Sequence, residues 1–452
     1  MDWNHPSGSK IQLDVARLRT NSSSRLGSIF YNPGGPGGPA RPACAALSQG
    51  SGSWSTLLDH YDLICPDPRG VGPSSQVKCD DDLWAATPSY FVDSEEEWEE
   101  VLEFNKKLGE SCLNMTGPHL GFVDTASAAK DLDALRAAVG DEKFNYLGFS
   151  YGTQLGARYA ELFPDRIGRM VLDGGVDPSI HEYQFFIEGN WAMNDELDRF
   201  FQWCDYNSTA CALNDGTNSS DSAAVWDAMI ARANREPIPA PGCAANATGP
   251  LAGTCKTTVT GYDIIFKLEN IFQAYDTWPT LSEYMKEANE GNATQLSIDL
   301  GPMNYVNLAV GCLDNPATST TFEEHVALQN LGKAMFPHAL GSSMELQFST
   351  TCIGWPFNST NPPHVFNSSA GNDISPILIV NSEHDPATPI SEALGLHRQI
   401  PNSVFLTRTG DGHTSYTANA RIRAAMNAWL VNGTLPSQNT VVVEELDWVP
   451  TY

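Results

Sequence analysis

Apolar positions in the first third of the chain fall into short runs separated by stretches with a helical period. Ile11 to Leu18 alternates apolar and polar residues, the two-residue period of a strand with one buried face. Ser28 to Asn32, Tyr61 to Cys65, Phe144 to Leu147 and Ile167 to Leu172 are shorter and more continuously apolar, as strands covered on both faces are. Asp124 to Val139 has a different rhythm: Leu132, Leu135 and Val139 lie along one helix face, Asp124 is placed to cap its start and Gly140 to stop it. A second helical run, Thr153 to Phe163, separates the last two strands. Strands joined by helical crossovers predict a mostly parallel sheet with helices on both faces.

The pattern changes after about Pro178. Residues 181–365 are rich in Trp, Phe, Asn and Cys, with helix-like patches such as Tyr262 to Tyr275, and read as an inserted, mainly helical cap. Alternation returns with a strand at Ile377 to Asn381, a helix at Ile390 to Arg398, a strand at Val404 to Thr407 and a helix at Tyr416 to Val431. One sheet is therefore expected from both ends of the chain: residues 1–180 and 366–452 form the core, interrupted by the cap. A length of 452 residues, beyond what one compact core usually holds, fits that division.

Charge and cysteine content narrow the setting. With 26 basic and 54 acidic residues the net charge is −28, which argues against nucleic acid or an anionic membrane as a partner and suits a protein dispersed in an acidic medium. The run Glu95-Glu96-Glu97 reads as a solvated helix face. Ten cysteines without a C-x-x-C pair point to disulfides in an oxidising compartment rather than to zinc. Cys204 with Cys211 and Cys243 with Cys255 would close short loops; Cys79 with Cys112 and Cys312 with Cys352 are longer candidates. Cys44 and Cys65 remain, to be paired with each other or with Cys65 as a buried free thiol. Nine N-x-S/T sequons, at Asn21, Asn114, Asn207, Asn218, Asn246, Asn292, Asn358, Asn367 and Asn432, point to a secreted, extracellular glycoprotein carrying N-linked glycans. No apolar run reaches membrane-spanning length. Met1-Asp2-Trp3-Asn4 is polar at once, so no signal peptide is visible and one is expected to have been removed.

The chemistry centres on Gly148-Phe149-Ser150-Tyr151-Gly152, a G-x-S-x-G sequence between a predicted strand and a predicted helix. Such a turn lifts a serine hydroxyl out of the fold, and glycine is needed on either side where backbone segments crowd together. A serine nucleophile needs a base and an acid to orient that base, in the chain order Ser, Asp, His. Asp385 follows the strand at 377–381, and His413 follows the next strand within Gly410-Asp411-Gly412-His413-Thr414. His384 competes as base, and Glu383 or Asp373 as orienting acid. Asn32-Pro33-Gly34-Gly35-Pro36-Gly37-Gly38 lets a backbone approach substrate closely, and assigns the Gly35 and Tyr151 N–H groups to a developing oxyanion. A phosphate loop would need a Lys and a Ser/Thr that are missing there. Asp67 and Arg69 read as braces of a loop at the edge of the site. No metal or organic cofactor is required.

Together with Asp67-x-Arg69-Gly70-x-Gly72-x-Ser74, Leu172-Asp173-Gly174, Cys312-x-Asp314, Cys352-x-x-Trp355, Asp385-x-x-Thr388-Pro389 and Gly412-His413, these pieces span nearly the whole chain. They resemble the tripeptidyl-aminopeptidase-like branch of the α/β-hydrolase superfamily, relatives of the prolyl aminopeptidases of peptidase family S33. The resemblance implies an α/β-hydrolase fold, a mostly parallel central sheet with a large inserted helical cap, and an exported hydrolase acting at free peptide N-termini. Asp2 to Pro6 looks like the family's early strand motif with the residues before it absent, an upstream segment having either been cut off or never existed here. An α-ammonium group calls for a buried carboxylate near the site, with Asp314, Asp177 and Glu182 as candidates. The substrate is expected to be a peptide or a small-molecule acyl compound. A carboxylesterase or biosynthetic hydrolase on small esters, lactones or amides is the alternative, and a binding protein on a hydrolase fold the third reading.

Overall fold

The computed structural model describes residues 1–47, 52–214, 216, 221–269, 271, 272 and 274–444. Among the described residues ten strands occur in chain order: β1 Val15–Leu18, β2 Ser28–Asn32, β3 Asp62–Pro66, β4 Phe144–Phe149, β5 Ile167–Asp173, β6 Ile238–Pro239, β7 Thr258–Val259, β8 Ile377–His384, β9 Ser403–Asp411 and β10 Thr440–Val443. Eight of them form one sheet in the order β1-β3-β2-β4-β5-β8-β9-β10. Only β1 runs antiparallel to its neighbour; every other pairing in that sheet is parallel. The alternation of side chains along each strand fills two cores. Phe30, Tyr146, Leu172 and Ile379 face one layer of helices. Ile29, Leu147, Val171 and Leu378 face the other.

Between β5 and β8 the chain leaves the sheet for a run of helices, beginning with Glu182–Tyr206 and ending with Met344–Thr351. This stretch has an apolar core of its own, with Phe200, Trp203, Trp226 and Trp278 buried in it. The short strands β6 and β7 pair only with each other. Disulfides join Cys204 to Cys211, Cys243 to Cys255, Cys312 to Cys352, Cys79 to Cys112 and Cys44 to Cys65. All ten cysteines are thus paired, and Cys65 is not a free thiol.

Several elements differ from the sequence expectation for physical reasons. β1 starts at Val15 rather than Ile11: beyond the pair Val15–Pro66 one more bond forms, Asp67 N to Asp14 O (2.9 Å), and then the N–H groups of Asp14 and Gln12 turn to the hydroxyls of Ser74 and Ser75 (2.7 and 3.0 Å) instead of to a strand. β8 and β9 run past their apolar stretches because buried polar side chains find partners there: Ser382 Oγ donates to Gly410 O (2.6 Å), and Asn381 Nδ2 to Thr388 O (3.0 Å). The helix expected from Tyr416 starts only at Ala420, since the N–H groups of Ser415 and Tyr416 donate to Asp173 and the Asn419 side chain caps Arg421 and Ile422. The helical patch at 262–275 stops at Leu268 after a capping box of Thr260 and Asp263. Glu95, Glu96 and Glu97 are exposed in the first turn of the helix Glu95–Thr116, behind the Ser94 cap.

Asn21, Asn114, Asn246, Asn292, Asn358, Asn367 and Asn432 are exposed. Asn207 is half-buried and donates to Trp203 O (3.0 Å), and Asn218 lies outside the described residues. Among the described residues no helix is long and apolar enough to cross a membrane.

Candidate active site

Ser150 stands at the end of β4 as the residue before the helix Tyr151–Leu162, with φ +57° and ψ −130°. A non-glycine residue in that region costs on the order of 1–3 kcal/mol, so its neighbours must enforce it. They do so from both sides: Ser150 N donates to Asp173 O (2.9 Å), and Thr153 donates to Ser150 O through both N and Oγ1 (2.7 Å each). Glycine at 152 is a matter of space, since a Cβ there would meet Asn32 Oδ1 at 2.8 Å and Asn32 O at 3.0 Å. The Asn32–Gly38 loop presses on the serine as well; a Cβ on Gly34 would meet Phe149 O at 2.5 Å and Ser150 Cβ at 2.7 Å. Tyr151 is the first residue of its helix, so its N–H is one of those a helix leaves without an internal partner.

The imidazole of His413 is held from behind. Its Nδ1 lies 2.8 Å from Asp385 Oδ1 and 3.0 Å from Oδ2, with Thr388 Oγ1 at 3.3 Å. Asp385 is buried and also accepts from Ala387 N (3.0 Å), Thr388 N (2.8 Å) and Thr414 N (3.2 Å). Burial alone would raise the Asp385 carboxyl. The charge and hydrogen bond of His413, helped by the Thr388 and Thr414 N–H groups, outweigh it and hold that carboxyl below its ordinary value. For His413 burial acts downward, but Asp385 dominates, Asp173 adds to it, and the ring is raised above 6.5.

Two buried charges fix the loop that carries the ring. Asp173, at the end of β5, accepts from Ser415 N and Tyr416 N, and burial pushes it up to about 6. Arg408 donates to the carbonyls of Asp411, Gly412 and Thr414 (3.0 Å each), to Ser415 Oγ and to Glu444. Asp173 stood in a recognisable motif, but its task did not. Arg408 was overlooked; a charge inside an otherwise apolar strand just before a glycine-bounded histidine was the available signal.

Ser150, Tyr151, Gly35 and His413 line one cavity of about 460 Å³. Four carboxyl groups line it too, Glu269, Asp314, Glu345 and Glu392, and among the described residues no Lys or Arg does. Burial raises all four. For Glu269 the Glu345 carboxyl adds to the effect, and for Glu392 those of Glu188, Glu345 and Asp177 do. Glu345 is 5 % exposed and its Oε2 has no hydrogen-bond partner among the described residues, while Glu269 accepts from Met344 N (3.0 Å). Glu345 and Glu392 sit in the first turns of their helices, where acidic residues are ordinarily solvated partners of the helix dipole, which is why the sequence hid them.

The three carboxylates singled out from sequence have different surroundings. Asp314 lines the cavity but is already occupied by the Thr125 N–H (3.2 Å), the Thr125 hydroxyl and Asn361 Nδ2 (3.0 Å). Asp177 accepts from Ser179 and Gln399, and Glu182 from Thr318 and Ser319. Neither lines the cavity of Ser150. His384 faces Asp195 (2.6 Å) rather than Ser150, and Glu383 and Asp373 are exposed. Asp67 accepts from Arg41 N (2.8 Å), while Arg69 grips Asp131 through two nitrogens (2.6 and 2.7 Å), so both brace the fold.

The parallel sheet, the serine at its strand-to-helix turn and the histidine on a loop at the same end define an α/β hydrolase. A family model described as alpha/beta hydrolase fold matches residues 28–214, and one described as TAP-like protein matches residues 338–442. The chain has the α/β-hydrolase fold and is similar over nearly its whole length to tripeptidyl-aminopeptidase-like proteins. It is 29 % identical to a tripeptidyl aminopeptidase of Streptomyces lividans, covering 96 % of this chain and 80 % of that protein. It is 28 % identical to the serine protease Hip1 of Mycobacterium tuberculosis (96 % and 84 %) and 28 % identical to a carboxylesterase B of the same organism (96 % and 83 %).

Proposed function

We propose that this hydrolase is a secreted serine peptidase that releases residues from the free amino end of peptides through an acyl-enzyme on Ser150. In this reading Ser150 Oγ attacks the scissile carbonyl while His413 Nε2 takes its proton, and Asp385 keeps the ring oriented and balances its charge. The Gly35 and Tyr151 N–H groups receive the oxyanion. The C–N bond then breaks with the proton passing from His413 to the departing amine. Water, deprotonated by the same ring, releases the acyl group. Residues 181–365 act as the cap that closes the site.

The observation that carries the peptidase reading is the charge of the cavity. Carboxyl groups crowded together without a resident Lys or Arg are costly to ionise, and an arriving ammonium supplies the missing cation. A neutral ester would leave that crowding unrelieved. Glu345, with Glu269 and Glu392 beside it, is the amine contact in this proposal, in place of the already occupied Asp314; Asp177 and Glu182 act structurally. The relatives named as a tripeptidyl aminopeptidase and a serine protease support the same reading. The esterase reading has the carboxylesterase B relative on its side.

A panel of aminoacyl and tripeptidyl anilides, with free or acetylated amino ends, beside simple esters separates the two. Preference for the free amine, lost in Glu345→Gln, is the expected result. Indifference to acetylation with fast ester turnover would establish the esterase instead. The exposed sequons and the disulfides support export and N-glycosylation, tested by a mobility shift of the natively expressed protein on treatment with an N-glycosidase.

A further inference from the structure

A second cavity, of about 500 Å³, lies against the one that holds Ser150; Trp84, Phe266, Ile298 and Gln347 line both. The two differ in charge. The Ser150 cavity carries only carboxyl groups besides its histidine and tyrosine. The second carries Lys256, the one Lys or Arg among the described residues lining either cavity, together with Asp263.

Lys256 is held as a binding residue should be. It follows Cys255 of the Cys243–Cys255 disulfide, its N–H donates to Ile298 O (3.0 Å), and its carbonyl accepts from Ser297 Oγ (2.7 Å). Its ammonium is 3.2 Å from Asp263 Oδ1, while Asp263 Oδ2 is taken up by the N–H and hydroxyl of Thr260 (2.9 and 2.8 Å). The carboxylate that faces Lys256 is therefore also a helix cap, and an ammonium has three N–H groups to give. Aromatic surface lies alongside: Phe91 and Tyr262, both lining the chamber, stack at 3.5 Å, with Lys333 Nζ 5.5 Å from the Phe91 ring centre.

We propose that the two cavities form one bipartite site for short zwitterionic peptides, the amino end in the acidic Ser150 cavity and the carboxyl-terminal part in the second chamber with its carboxylate on Lys256. This rests on the peptidase reading above and narrows it to peptides with a free carboxyl end. The opposite orientation would set a carboxylate among Glu269, Glu345 and Glu392, where no Lys or Arg among the described residues meets it, and an ammonium against Lys256, so the arrangement disfavours the wrong end as well as favouring the right one.

Binding to the Ser150→Ala protein tests the site without turnover. Short free-amine peptides, each made as its C-terminal acid and as its C-terminal amide, are titrated calorimetrically. The acid is expected to bind about tenfold more tightly than the amide, as one charge-assisted contact allows. Lys256→Met in the same background brings the two affinities together, and Lys256→Arg keeps them apart; melting temperatures of both variants establish that they are folded. Equal affinity for acid and amide in the Lys256 protein, a difference that survives Lys256→Met, or binding of neither peptide overturns the proposal. Acid-selective binding alongside indifference to amine acetylation in the anilide panel would instead overturn the peptidase reading and leave the carboxylate contact standing.

Discussion

At the scale of single residues the site depends on how charge is arranged around one imidazole. His413 must be neutral to take a proton, and Asp385 and Asp173 hold its proton affinity above the ordinary value. With chemistry limiting, kcat/KM is expected to rise with pH along an acid limb centred above 6.5 and to approach its plateau only beyond that limb. Asp173→Asn keeps an acceptor for the Ser415 and Tyr416 N–H groups but removes one negative charge, so the limb should move to lower pH. A limb that does not move would show that Asp173 acts on the loop and not on the ring's charge. Ser150→Ala is expected to lower turnover by about 10⁴-fold or more, measured with the substrate that the panel favours. Wild-type-like turnover in that variant would remove Ser150 from the mechanism. The serine, the histidine and the acid were legible in sequence because each follows a strand and is flanked by residues that shape a turn. Glu269, Glu345 and Glu392 were not legible, because their crowding is created only when three separate helices converge on the cavity.

At the scale of elements the helix Glu182–Tyr206 clamps the two loops that present Asp385 and His413. Asp195 faces His384, the neighbour of Asp385 (2.6 Å), and four residues further on Arg199 makes a two-point contact with Asp411, two residues before His413. Glu196, between them, is fully buried, and both its oxygens lack hydrogen-bond partners among the described residues; burial and the Asp411 charge raise its carboxyl well above the ordinary value. Removing Arg199 alone would leave Asp411 charged in a buried place, which typically costs about 3–5 kcal/mol. Arg199→Ala should therefore lower the melting temperature and kcat together, and Arg199→Ala with Asp411→Asn should recover much of the stability. If the double variant melts no higher than the single one, the pair is not what holds that loop. None of this was readable in the helix sequence, where charges one and four residues apart look like an ordinary solvated face. The sheet was readable because both faces of its strands are covered, leaving runs of apolar residues. Its limits were not, because the Ser74 and Ser75 hydroxyls at the start of β1 and the buried polar groups of β8 and β9 decide where pairing stops.

At the scale of the whole molecule the excess of acidic residues and the buried carboxyls act in the same direction. Asp173 is raised by burial to about 6 and Asp314 to about 7, against an ordinary 3.8. A carboxyl raised on folding binds its proton more tightly in the native state. Its contribution is complete below the unfolded value and is lost as pH rises through the folded one. His413, also raised, loses its contribution in the same sense above 6.5. Asp385 works in the opposite sense: held below 3.8, it stabilises the fold above that value and is lost on further acidification. The net charge of −28 adds self-repulsion that eases as carboxylates are protonated. Thermal stability should therefore be greatest in the mildly acidic range, near about pH 5, and fall towards about pH 8 by on the order of a few kcal/mol. Asp314→Asn should flatten the part of that slope between about 4 and about 7, because an amide has no proton to lose. Melting curves across this range decide the matter: a melting temperature that climbs steadily from pH 5 to pH 8, or a slope unchanged in Asp314→Asn, would mean that these carboxyls are ionised in the folded protein after all. Since the histidine limb places turnover at the higher end of the same range, stability and activity are expected to peak at different pH values, with the fold most robust where the base is still protonated.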